Sequence, residues 1–216
     1  MPRLLIILFF LSLGVFSQSP MPRTVIVFGD SITAGGALPK EERGRLWVTQ
    51  VQQSSAGALT LINEGKGGRP TNSLAEFKAM ITRHAKADAL VIALGMNDSR
   101  DITAQCVPKA VANVRAMMVK ARAAYGEKLP VLLVGPSNIN KAALGPTKPI
   151  ANEREAKLRE LGAAFAKLAA ETKSEFVSLF GVVPDSSLLK DGVHPDGAGN
   201  EAIAKVMGKK LKMLGW

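Results

Sequence analysis

The stretch Val25-Ile26-Val27-Phe28-Gly29-Asp30-Ser31-Ile32-Thr33 decides the fold. Its first four residues are a continuous apolar run, β-branched at the start. Such runs suit a strand buried on both faces, as in parallel sheets. Similar runs recur at Leu59-Thr60-Leu61-Ile62, Ala89 to Leu94, Val131 to Val134 and Phe176 to Leu179. Helical spacing fills the intervals. Leu74, Phe77 and Ile81 share one face, as do Val107, Val111, Val114, Met118 and Tyr125. Leu158, Leu161, Phe165 and Leu168 form another stripe, and Ile203, Val206, Met207, Leu211 and Leu214 close the chain. These are amphipathic patterns. A weaker helix is expected over Glu41 to Gln53, around Leu46, Trp47 and Val51. The alternation of five strands with helices predicts an α/β fold, a parallel sheet with helices on both faces and right-handed crossovers. Gly135 to Asn152 is the longest stretch expected to be irregular.

The remaining composition narrows the chemistry. At 216 residues, with 47% hydrophobic and 21% charged side chains, the chain has a globular composition. One cysteine, Cys106, excludes an intramolecular disulfide and a cysteine-based zinc cluster. It lies at an expected helix start, where burial is the ordinary reading. Two histidines, His84 and His194, exclude a His-rich metal site. Residues Leu4 to Phe16 are apolar, Arg3 precedes them, and Val15 and Ser17 place small residues at the exit. That layout predicts a signal peptide over residues 1–17, cleaved near Ser17, and hence a secreted or periplasmic protein. An uncleaved anchor is the alternative, although so short a run spans a bilayer poorly. Membrane contact is expected only through this segment.

Ligands of open α/β sheets bind outside the carboxyl ends of the strands. Four strand ends carry polar or glycine-rich segments here: Gly29-Asp30-Ser31, Asn63 to Thr71, Gly95-Met96-Asn97-Asp98, and Asp191-Gly192-Val193-His194-Pro195 after the fifth strand. Ser31 sits on a turn that can present its hydroxyl at a helix start. A serine hydroxyl becomes a competent nucleophile when a base removes its proton. His194 is the base at the right address, because Pro195 biases it away from helix. Asp191, three residues earlier, can reach the other imidazole nitrogen and hold the tautomer. The N–H groups of Ser31 and Gly68 and the amide of Asn97 are candidate oxyanion donors. Each segment alone has an ordinary structural reading as a turn or a cap. Together they supply four complementary roles in topological order.

The same four segments resemble the blocks of the SGNH hydrolase family, also called GDSL esterases. The matching residues are Gly29-Asp30-Ser31, Asn63-x-Gly65-x-x-Gly68, Gly95-x-Asn97-Asp98 and Asp191-x-x-His194. The resemblance implies a flavodoxin-like three-layer α/β/α sandwich over residues 24–214, with sheet order 2-1-3-4-5. It implies Ser31, Asp191 and His194 as catalytic residues, an oxyanion hole of Ser31, Gly68 and Asn97, and neither cofactor nor metal. The adjacent Gly67 and Gly68 leave two candidates for the second donor; Gly68, five residues after Asn63, is preferred. Gly68-Arg69-Pro70-Thr71 resembles carbohydrate-acetylesterase members.

The expected function is therefore a secreted serine esterase acting on O-acetyl esters of carbohydrates. A lysophospholipase, arylesterase or acyl-thioesterase on the same residues is the alternative. A catalytically silent carbohydrate-binding protein is the alternative of another class. His84 is expected at a helix end in a structural role, and Trp47 either lines the cleft or packs. Arg69 and Arg100 either meet an anionic substrate or are solvated. The formal charge of +10 is compatible with acidic polysaccharides or anionic lipid surfaces. Nucleic acid is not expected as a partner, because aromatic residues make up only 5% and no stacking platform is visible.

Overall fold

The computed structural model describes residues 21–216. The expected leader at residues 1–17 lies outside the described residues. β1 (Arg23–Gly29), β2 (Leu59–Gly65), β3 (Ala89–Ala93), β4 (Val131–Gly135) and β5 (Glu175–Ser178) form one parallel sheet in the order β2-β1-β3-β4-β5. This is the expected topology. Helices α1 (Ser31–Ala34), α2 (Trp47–Ser54), α3 (Leu74–Arg83), α4 (Cys106–Tyr125), α5 (Ala151–Glu171) and α6 (Gly197–Met213) link and follow the strands.

Strand alternation divides the interior into two cores. Val25 and Val27 point to the side covered by α2 and α6, where Trp47, Val51, Ile203, Met207 and Leu211 are buried. Ile26 and Phe28 point to the side covered by α3, α4 and α5, with Phe77, Met80, Met117 and Phe165. Phe28 and Phe77 meet edge to face, with ring centroids 4.9 Å apart. That geometry suits the charge distribution of aromatic rings.

The register aligns Gly29 of β1 with Gly65 of β2 on one side and with Ala93 of β3 on the other. Three strands therefore end at one level, and the segments after them are neighbours. Gly65 makes this closeness possible. A side chain there would run into the backbone of Thr33 and Ala34 in α1.

Three boundaries differ from the sequence expectation. Residues 41–53 do not form one helix: a 3-10 turn covers Lys40–Arg45, Leu46 is extended, and α2 starts at Trp47. The start is fixed from far along the chain, because the Trp47 N–H donates to Asn200 Oδ1 at 3.2 Å. β2 runs on to Gly65, since its pairing with β1 continues through Asn63 and Glu64. The irregular stretch is shorter than expected, because a 3-10 turn at Lys148–Ile150 leads straight into α5.

Gly65 and Gly67 should respond differently to a methyl group. Gly65→Ala should destabilise the fold by about 1–3 kcal/mol, the usual cost of overpacking. Gly67→Ala should be tolerated, because nothing lies within 4 Å of an added Cβ there. Urea denaturation of the two variants checks the contrast.

Candidate active site

Ser31 is the first residue of α1, directly after Asp30. Asp30 is the N-cap: its backbone is extended and its Oδ1 accepts the Ile32 N–H at 3.0 Å. The Asp30 N–H donates to the Ala93 carbonyl of β3 at 3.3 Å, and Gly35 closes the short helix in a left-handed conformation with φ 69°. The serine is thus held on a turn pinned at both ends.

His194 and Asp191 arrive on the segment before α6. His194 Nε2 lies 2.8 Å from Ser31 Oγ, and Nδ1 lies 2.6 Å from Asp191 Oδ2. A neutral imidazole with its proton on Nδ1 satisfies both contacts: it donates to Asp191 and accepts from the Ser31 hydroxyl. The other carboxylate oxygen, Oδ1, accepts the backbone N–H groups of Val193 at 2.9 Å and His194 at 3.0 Å. Burial would raise the Asp191 pKa, but these hydrogen bonds and the imidazole outweigh it and hold the carboxyl below its ordinary value. The turn requires Gly192, whose φ is 68° and whose position leaves no room for a Cβ against the 140–144 backbone. The Asn140 N–H donates to the Gly192 carbonyl at 2.8 Å, so the loop after β4 backs the segment. Asp196 then caps α6 by accepting the Gly199 N–H at 2.8 Å.

The second and third strand ends interlock beside Ser31. Asn63 Nδ2 donates to the Thr33 carbonyl at 2.9 Å, and the Lys66 N–H donates to the Gly29 carbonyl at 3.1 Å. The positive φ of this loop falls at Gly68, at 72°. The next residue, Arg69, accepts the Asn97 side-chain N–H on its backbone oxygen at 3.1 Å. That contact occupies one of the two hydrogens on Asn97 Nδ2. Asp98 accepts the Thr71 N–H and the Thr71 hydroxyl, the latter at 2.5 Å. Burial raises the Asp98 pKa, and the Thr71 contacts limit the rise.

The structure therefore joins Ser31, His194 and Asp191 by hydrogen bonds, and links the loop after Gly68 to Asn97. Arg69 departs from its sequence reading, while Trp47, His84 and Cys106 keep to a reading the sequence offered. Arg69 neither faces a substrate site nor is solvated. It is only 6% exposed; its guanidinium donates to the carbonyls of Gly29 and Glu64, pairs with Glu76 at 3.0 Å, and lies 4.0 Å from the centre of the Phe28 ring. Trp47 packs in the core at 2% exposure. His84 is the residue just past α3, with Nε2 2.6 Å from Glu64 Oε1. Cys106 is buried, and its thiol is pushed up to about 11, mainly by burial. Among the described residues, no cluster of three His, Cys, Asp or Glu side chains suits a metal ion.

Arg154 escaped the sequence reading. It is 1% exposed and donates to Ser99 Oγ at 3.1 Å and to Thr147 Oγ1 at 2.9 Å. Ser99 in turn donates to the Met96 carbonyl at 2.8 Å, so Arg154 buttresses the turn bearing Asn97. Burial, and then the neighbouring Arg100, push its pKa down to about 10, while Asp191 opposes the shift. The signal was present: Arg154 stands four residues before Leu158 on the apolar stripe of α5.

Known proteins share this architecture. A model of the GDSL-like lipase/acylhydrolase family matches residues 27–202. A carbohydrate acetylesterase family member from Sinorhizobium meliloti superposes with a TM-score of 0.72 at 21% identity, covering 88% of this chain and 98% of that one. The aryl esterase of M. smegmatis gives 0.72 at 20% identity, covering 89% and 99%. A lipase/acylhydrolase from Enterococcus faecalis gives 0.68 at 23% identity, covering 88% and 95%. At these identities the likeness establishes the fold. No curated protein sequence matches the chain significantly.

The environment of Asp30 makes a pH prediction. Its carboxyl is pushed up to about 7, mainly by burial, against the opposing Ile32 N–H. A carboxyl raised in the folded state contributes stability that is complete below the unfolded value, about 3.9, and is lost as pH rises through the folded value. Asp30→Asn, which keeps a capping oxygen, should therefore gain stability relative to the parent between about pH 5 and pH 8. Denaturant midpoints at the two pH values measure this; a constant difference would mean that Asp30 does not titrate in that window.

Proposed function

The chain belongs to the GDSL-like lipase/acylhydrolase family, and from that premise we propose an exported serine esterase that removes O-acetyl groups from carbohydrates through an acyl-enzyme. Membership makes the chain a carboxylic ester hydrolase acting on small-molecule esters. The observation that carries the mechanism is the unbroken hydrogen-bond line from Asp191 through His194 to Ser31.

In this reading His194 Nε2 takes the hydroxyl proton as Ser31 Oγ attacks the ester carbonyl. Asp191 holds the ring and stabilises the imidazolium that forms. The oxyanion is met by the N–H groups of Ser31 and Gly68 and by the second hydrogen of Asn97 Nδ2. Fixed donors aimed at a developing charge need no reorganisation during the reaction. Collapse expels the alcohol, which takes its proton from His194. Water, deprotonated by the same base, then attacks the acyl-serine and releases the acid and the free enzyme.

Support for the carbohydrate ester comes from the apolar leader and from the resemblance of Gly68-Arg69-Pro70-Thr71 to acetylesterase members. The description of the Sinorhizobium meliloti relative agrees with it. Arg69 makes no substrate contact in this reading, since its side chain is buried. Lysophospholipid, aryl ester and acyl-thioester hydrolysis use the same machinery, and the aryl esterase of M. smegmatis shares the fold. A silent carbohydrate-binding role is disfavoured by the connected Ser31, His194 and Asp191.

Hydrolysis of acetylated sugars and long-chain acyl esters separates these readings. Short acetyl esters should be preferred; a strong preference for long chains overturns the carbohydrate assignment. Ser31→Ala should lower kcat on the order of 10³-fold or more. Asn97→Ala should lower it on the order of 10²–10³-fold, the usual loss of an oxyanion donor. His84→Ala should leave the rate nearly unchanged, and equal rates for Ser31→Ala and the parent would refute the nucleophile.

A further inference from the structure

A groove of about 770 Å³ runs between α2 and α6 and ends at the carboxyl-terminal residue, Trp216. Val51, Leu59 and Leu211 form its floor, and Lys205, Lys209 and Lys212 line it from α6. These lysines are spaced by four and three residues, so they share one exposed face of the helix. Like charges at this spacing repel each other, and among the described residues none of the three forms an ion pair. The carboxylate in the groove, Glu201, is already held by Arg45 at 2.7 Å. The surface thus has uncompensated positive charge above an apolar floor.

Trp216 is partly exposed and packs its remainder against the core. The start of β1 lies beside the last residues of the described chain, because Arg23 Nη1 donates to the Gly215 carbonyl at 3.2 Å.

We propose that this face is a docking surface for an anionic phospholipid bilayer. Lysine ammonium groups reach lipid phosphates while their stems lie along apolar surface, and tryptophan suits the headgroup boundary. An acidic polysaccharide would satisfy the lysines but would make no use of the apolar floor or of Trp216 beside them. The face runs alongside α6: Lys205 lies eight residues after Gly197, about 12 Å along the helix, and Lys209 and Lys212 follow it toward Trp216. Membrane contact is not confined to the leader in this arrangement.

Trp216 reports the test directly, since the other tryptophan, Trp47, is buried. The full chain is mixed with vesicles of phosphatidylcholine, with or without phosphatidylglycerol, and Trp216 emission and its quenching by brominated lipid are followed. A blue shift and quenching are expected with phosphatidylglycerol, weakening as salt is raised. Replacing Lys205, Lys209 and Lys212 together by Gln should weaken binding on the order of 10²-fold, at about tenfold or less per lysine. Hydrolysis of a soluble short ester should be unchanged in that variant, which also reports its folding. The proposal is overturned by an equal response to neutral vesicles, by no response to either, or by a triple variant that binds like the parent. A response to soluble dextran sulfate without one to phosphatidylglycerol vesicles would assign the face to polyanionic glycans and would overturn it as well.

Discussion

The buried guanidinium of Arg69 is the contact on which the reacting edge depends. It donates to the last carbonyl of β1, at Gly29, and to that of Glu64 in β2, while Glu76 and the Phe28 ring complete its surroundings. Removing an arginine from water is expensive unless its charge and donors are all met. Here two carbonyls, a carboxylate and an aromatic face meet them together. The same residue uses its own carbonyl to orient Asn97. One residue thus fixes the ends of two strands, closes the Gly68 turn and aims a side chain carried by a third strand.

Two further polar side chains extend this lock. Asp98 ties Thr71 of the second segment to the third, and Asn113 of α4 donates to the Thr71 hydroxyl at 3.2 Å. Arg154 ties the turn after Asn97 to Thr147 in the loop after β4. That loop holds Gly192 through Asn140, and so positions Asp191 and His194. Among the described residues, Arg154 has no carboxylate within hydrogen-bonding distance, and burial lowers its pKa to about 10. It therefore remains cationic near neutral pH. Its positive charge lies close enough to Asp191 to favour the carboxylate form there.

What the sequence made legible follows from which forces are local. Val25 to Phe28 and Ala89 to Leu94 read as buried strands because a parallel sheet covered on both faces needs uninterrupted apolar runs. The separation between Ser31 and His194 was bridged by topology, since parallel strands bring their carboxyl ends to one edge. Long-range polar contacts left no such imprint. Trp47 starts a helix because Asn200 accepts its N–H, more than a hundred residues away. Arg69 looked like a substrate-facing or solvated cation because nothing nearby in sequence announces that Gly29 and Glu64 present carbonyls to it. Arg154 is the partial exception. A charged residue in register with an apolar stripe is either a mistake in the stripe or a buried charge with dedicated partners, and Ser99 and Thr147 are those partners.

The basic charge divides along α6 in a way that the helix itself explains only in part. Asp196 accepts the Gly199 N–H at the N-terminus, next to the His194 segment, and Lys210 and Lys212 sit in the last turn. Both placements complement the helix dipole. Lys210 also pairs with Glu175 at 2.7 Å. Lys205 is in mid-helix, where the dipole offers nothing, and it repels Lys209 one turn later. A helix needing only its caps would not carry that repulsion on the face where its apolar groove opens. The charge is better understood as belonging to a surface than to the helix. One element then performs two tasks, presenting the imidazole segment at the carboxyl edge of the sheet and a cationic, apolar-floored face along its length.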